Sequence, residues 1–106
     1  MEYVYQIIPL ILYINKMAKV KFTSALKRFF PNLKGMDISA TNAQEAIDLI
    51  EHQYPGIKDY LVDETGQLRK HVNIYIDNDL IQDRQKLSDS IKDNDEILIM
   101  QALSGG

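Results

Sequence analysis

At 106 residues and a formal charge of −3, the chain has the size of one domain with one hydrophobic core, and no second domain is expected within it. It has no cysteine, which rules out disulfides, thiolate metal sites and a cysteine nucleophile; any sulfur chemistry must be carried by something other than a side-chain thiol. The acidic balance and the lack of a long Lys or Arg run argue against nucleic acid as a partner, although a small local patch escapes a net-charge count.

Residues 1–16 stand apart. The apolar stretch at 3–14 is too short to span a bilayer and is interrupted by Pro9, so no membrane partner is expected. It also lacks the basic start and small-residue cleavage site of a signal peptide. Met17-Ala18-Lys19-Val20 reads as a natural protein start, and 1–16 are read as an N-terminal extension outside the core. The rival is an added strand or helix covering an apolar patch.

From Met17 onward the elements are short and alternate in type. Val20 and Phe22 give the two-residue period of a first strand beginning near Lys19. Phe29 and Phe30 are expected to pack beneath the turn at Pro31-Asn32, or residues 25–30 to make one helical turn. Residues 33–41 predict a second strand, with Met36, Ile38 and Ala40 on one side, which pairs with the first as a hairpin. Thr41 and Gln44 match a capping box, and Ala43, Ala46, Ile47, Ile50 and Tyr54 then recur at helical spacing until Pro55-Gly56 ends the helix. A helix with one apolar stripe needs a sheet to bury it. Ile57, Tyr60 and Leu61 predict a second short helical turn, and Asp63-Glu64-Thr65-Gly66 a tight turn.

Residues 71–76 form the clearest interior strand, followed by a turn at Asp77-Asn78. Leu87, Ile91 and the polar turn Lys92-Asp93-Asn94-Asp95 precede a last apolar strand at 97–100. The order is strand, strand, helix, strand, short strand, strand. One main helix packed on a mixed sheet of four or five strands buries this material most simply, an α+β arrangement of the β-grasp, ubiquitin-like type. The domain is expected to span 17–100, with 101–106 as a flexible, functional C-terminal tail.

That tail ends in Gly105-Gly106 after Leu103 and Ser104. Two residues without Cβ atoms let a terminal carboxylate pass through a narrow enzyme channel, so the Gly106 carboxylate is the candidate reactive group. A terminal Gly-Gly is also what a frayed end looks like, so the dipeptide takes its meaning from what precedes it.

Val20-Lys21-Phe22, Ala43-Gln44-Glu45-Ala46, His71-Val72-Asn73-Ile74-Tyr75-Ile76-Asp77-Asn78, the run at 87–97, and Ala102-Leu103-Ser104-Gly105-Gly106 follow one another along the chain. Together they resemble the ubiquitin-like sulfur carriers, related to the small subunit of molybdopterin synthase and to the thiamine-pathway and cysteine-route carriers. Their order and spacing cover essentially everything from Met17 on. The chain departs from the family at Asn78 and Asn94, where glycine is usual; asparagine is the best non-glycine residue for a left-handed turn position.

The resemblance implies a non-enzymatic, cytoplasmic protein co-substrate that binds no cofactor or metal itself. A ubiquitin-activating-like adenylyltransferase using ATP with Mg would join the Gly106 carboxylate to AMP. A rhodanese-like protein or cysteine desulfurase would then supply sulfur to make a thiocarboxylate, which a sulfur-accepting synthase subunit consumes in molybdopterin or cysteine-type biosynthesis. Leu103, Ser104 and Gly105 form the slim tail. Met100, at the end of the last strand, is the candidate partner-docking residue, with a core methionine as the equal alternative. Two other readings remain: a ubiquitin-like modifier joined to target lysines, and a plain β-grasp interaction domain. His52 and His71 are read as structural or solvent-facing, and Asp77-Asn78-Asp79 as a turn, because a calcium loop would need an oxygen ligand where Ile81 stands, glycine where Gln82 stands and a glutamate where Ser88 stands.

Overall fold

A computed structural model describes residues 17–102, which fold into a five-stranded sheet in the order β2-β1-β5-β3-β4. The strands are β1 (Ala18–Phe22), β2 (Met36–Ile38), β3 (Val72–Ile76), β4 (Asp79–Leu80) and β5 (Glu96–Gln101). Between β1 and β2 lies a 3-10 turn at Ser24–Arg28, and between β2 and β3 lie α1 (Ala43–Gln53) and the short α2 (Lys58–Leu61). The central pair, β1 and β5, is parallel, and all other neighbours are antiparallel. This is the β-grasp arrangement expected from the element order.

The most apolar strand occupies the centre because it is paired on both edges. Ile97 and Ile99 of β5 point to one face, beside Val20 of β1 and Val72 and Ile74 of β3, and all five are essentially inaccessible to water. The apolar stripe of α1, Ala43, Ala46, Ile47 and Ile50, closes the same core, and Tyr54 packs at its margin. Truncating a side chain as buried as Ile50 to alanine costs about 2–5 kcal/mol.

The helix begins one residue later than the sequence spacing predicts. Asn42 is the N-cap, its Oδ1 accepting from the Glu45 amide at 2.9 Å, and Glu45 reaches back to accept from the amide and hydroxyl of Thr41 at 2.8 and 2.9 Å. Asn42 therefore takes the cap position in place of Thr41, Glu45 in place of Gln44 reaches back to Thr41, and the two bonds from Thr41 hold the Glu45 carboxyl below its ordinary pKa. At the other end Gly56 adopts φ +99°, and Glu51 accepts from the Gly56 and Lys58 amides, tying α1 to α2.

Two local expectations need correction. Phe29 does not pack beneath Pro31; it is 54% exposed and stacks on Tyr60 at 4.8 Å, while Phe30 meets the same ring edge-on at 5.4 Å. The second strand is only three residues, since the Leu33 amide bonds back to Phe30 and the Lys34 amide donates to the Tyr54 hydroxyl, leaving neither for the ladder. Asn78 and Asn94 adopt φ +72° and +68°, the left-handed conformation their turns require.

The strand β4 is too short to cover all of β3. Beyond its reach the half-buried Arg84 takes over, donating to the carbonyls of Arg69 (2.6 Å) and Val72 (2.9 Å) and to Asn73 Oδ1 (2.9 Å). A guanidinium thus satisfies part of an exposed sheet edge. Asp83 and Asp89 organise the adjoining loop: Asp83 accepts from the amides of Gln85, Lys86 and Ser88 and from the Ser88 hydroxyl, and Asp89 accepts from Gln82 and Asp83.

Candidate docking face and tail origin

Alternation along β5 sends Ile97 and Ile99 into the core and Glu96, Leu98 and Met100 to the opposite face. Met100 is half-buried and lies outside the core, so the two positions left open by the sequence are decided in favour of the open face.

Register then assembles a surface around it. Leu98 lies between Lys21 on β1 and Tyr75 on β3, and Tyr75 in turn faces Leu80 on β4. Met100 pairs with Asn73, one step nearer the end of the strand. Leu98, Tyr75, Met100 and the 50% exposed Leu80 therefore form an apolar patch across the sheet, and Lys21, Asn78 and Glu96 join it around a shallow groove. Lys21 and Glu96 are 3.9 Å apart and both well exposed, a pair that contributes little to stability. Leu98, Tyr75 and Leu80 were not singled out from sequence. No sequence signal separates Leu98 from its neighbours in an almost wholly apolar run, and Leu80 needs the cross-strand register.

The strand β5 continues to Gln101, which pairs with Val72, and the Ala102 amide donates to the His71 carbonyl at 2.9 Å. The Gln101 side-chain nitrogen lies 3.2 Å from His71 Nε2. The chain is thus held by the sheet up to Ala102. The candidate residues Leu103, Ser104, Gly105 and Gly106, like the extension at 1–16, lie outside the described residues.

The weaker polar candidates stay apart. His52 is exposed on α1 and shares a shallow surface groove with Glu45 and Asp48, whereas His71 immediately precedes β3 and meets Gln101. Asp77 and Asn78 make a tight turn with positive φ at both positions. Among the described residues no group of three His, Cys, Asp or Glu is placed to hold a metal ion, and no helix is long and apolar enough to cross a membrane. The carboxyls with depressed pKa values, Glu45, Glu51, Asp63 and Asp83, all owe them first to hydrogen bonds within caps and turns and lie off the apolar patch.

A β-grasp whose central strand borders an open apolar face and leads in sequence to Gly105-Gly106 defines the class of ubiquitin-like carrier and modifier proteins. Within it the chain belongs to the ThiS family, whose profile matches residues 21–106. It is similar to the sulfur carrier protein CysO of Mycobacterium tuberculosis, with 31% identity over 75 residues, covering 69% of this chain and 81% of that protein. Among solved structures it superposes on the BexX/CysO complex of Amycolatopsis orientalis with a TM-score of 0.71 and 26% identity, over 84% of this chain and 99% of the matched chain. SAMP1 from Haloferax volcanii shares the fold, with a TM-score of 0.70 at 16% identity over 85% of this chain and 99% of the other. The general role that follows from family membership is that of a sulfur carrier, a protein substrate and not a catalyst.

Proposed function

We propose that the Gly106 carboxylate is the group that carries sulfur. A carboxylate resists nucleophilic attack because of its own charge, so it must first be activated. An adenylyltransferase resembling the ubiquitin-activating enzymes does this with ATP and Mg: a Gly106 oxygen attacks the α-phosphorus, pyrophosphate leaves, and the acyl-adenylate has AMP as a good leaving group. The terminal sulfur of a persulfide on a rhodanese-like protein or cysteine desulfurase then attacks the acyl carbon and AMP departs. A thiol cleaves the remaining S–S bond, leaving the thiocarboxylate on Gly106 and a disulfide on the donor side. A synthase subunit accepts that sulfur.

The observation that carries this reading is the family match running through Gly105-Gly106 on a fold whose central strand hands the chain over at Ala102. Leu103, Ser104 and Gly105 supply a slim approach for the carboxylate. The apolar patch of Met100, Leu98, Tyr75 and Leu80 is the surface on which activating and accepting partners dock, with Met100 as the adaptable contact nearest the tail.

The test is intact-mass analysis after incubation with the activating enzyme, ATP and a sulfur donor. One oxygen replaced by sulfur, localised to Gly106, is expected. Lysine-linked adducts without a thiocarboxylate would establish a protein modifier instead, and neither product would leave a β-grasp interaction domain.

A further inference from the structure

Charge is unevenly distributed along this acidic chain. Between Met17 and Met36 stand Lys19, Lys21, Lys27, Arg28 and Lys34 with no Asp or Glu, whereas from Asp37 to Ala102 carboxylates outnumber Lys and Arg by more than two to one. The net charge of −3 conceals this local patch.

The topology decides where the patch lies. Because β1 and β5 run parallel, both finish at the same end of the sheet, and the Thr23 amide donates to the Ile99 carbonyl at 3.1 Å just beyond β1. The 3-10 turn packs against β5, and β2 returns antiparallel from that same end. The whole connection at 23–35 therefore borders the point where β5 releases the chain at Ala102. Lys27, Arg28 and Lys34 are exposed there, and none has a carboxylate within ion-pair distance among the described residues. Between them Phe29 is 54% exposed yet held in place by its stack on Tyr60. At the opposite end Asp77, Asp79, Asp93 and Glu96 are exposed and outnumber Lys92, while Asp95 is buried, so the sheet has an acidic pole facing away from Ala102.

We propose that Lys27, Arg28 and Lys34, which flank the exposed Phe29 in the connection at 23–35, form a docking surface for an acidic patch on the protein that activates Gly106. This rests on the reading of Gly106 as the activated group. A partner that takes in the tail must come to this end of the sheet, and unpaired cations flanking an exposed aromatic residue fit acidic side chains beside an apolar contact. Opposite charge at the two poles turns the tail end toward such a surface during diffusional approach. A nucleic acid is the weaker candidate, because one face of Phe29 is already stacked on Tyr60 and the net negative charge repels a polyanion at long range.

The experiment measures adenylation kinetics of the full chain with its activating enzyme at varied carrier concentration and salt. The triple charge reversal Lys27→Glu, Arg28→Glu, Lys34→Glu should raise KM for the carrier about tenfold or more at low salt, with kcat within about twofold, because rim charges act mainly on association. The gap should shrink by about 0.5 M salt, where screening acts over a few ångströms. The neutral triple Gln variant should fall between, and Lys92→Glu, at the far end, should behave as wild type. Matching Tm values exclude misfolding, and Phe29→Ala should raise KM with little salt dependence.

An unchanged KM for a folded triple reversal at low salt would overturn the docking surface while wild-type adenylation left the Gly106 reading intact. Absence of wild-type adenylation would remove both. Salt-sensitive binding of a single-stranded RNA oligonucleotide, lost in the triple reversal while KM stayed constant, would reassign the patch to nucleic acid.

Discussion

Asn73 and Met100 are register partners across β3 and β5, and the Asn73 side chain is itself held by Arg84 at 2.9 Å. The methionine nearest the tail thus projects from a strand pair stiffened from its far edge by a guanidinium. A docking residue placed in this way can be altered without opening the core.

Met100→Asp is therefore expected to fold, at a cost of about 1 kcal/mol typical of a solvent-facing strand position, and to weaken binding to the activating enzyme by tenfold or more. Paired measurements of Tm and Kd check this. A variant that unfolds would move Met100 to a structural role.

Arg84→Ala removes three donated hydrogen bonds and leaves the Arg69 and Val72 carbonyls to find water. A loss of about 1–3 kcal/mol in urea unfolding is expected. Arg84→Lys should recover only part of it, because one ammonium cannot reproduce the planar fork.

Asn94, with φ +68°, should tolerate glycine but not alanine. Asn94→Ala is expected to cost about 1–2 kcal/mol, the strain of a Cβ-bearing residue without a compensating local hydrogen bond in the left-handed region. Asn94→Gly should change stability by no more than about 0.5 kcal/mol. Denaturant midpoints with unchanged slopes distinguish the two.

The Asp83 carboxyl is held below the ordinary aspartate value of 3.8, first by the Ser88 hydroxyl and then by loop amides. Its folded pKa is below its unfolded one, so its stabilisation is fully present above the unfolded value and is lost as pH falls through the folded value. Asp83→Asn should therefore lower stability at neutral pH and flatten the acid limb of a stability–pH curve. An acid limb identical to wild type would contradict the assignment.

Deleting Gly105 and Gly106 should leave Tm nearly unchanged, because the sheet register and the core are complete by Ala102. The same deletion should abolish adenylation. Calorimetry and pyrophosphate release on one preparation test both halves.

Sequence by itself determined the element order, the core stripe of α1, the interior strands and the turns at 77–78 and 92–95, while the family's usual glycines pointed to left-handed positions at Asn78 and Asn94. These depend on local periodicity and on backbone angles that few residue types accept. It also supplied the Gly-Gly end, whose meaning came from the family pattern. Tertiary structure decided what rests on competition between distant partners. Asn42 displaced Thr41 as the cap where the chain meets the 87–91 segment, with the Ile91 amide donating to Thr41 and the Leu87 carbonyl accepting from Gln44. Phe29 moved outward because Tyr60, thirty-one residues on, offered it a ring to stack on. The phase of Met100 was undecidable from an almost wholly apolar run. Only the pairing of β5 with both β1 and β3 showed which face the helix covers and which remains open to a partner.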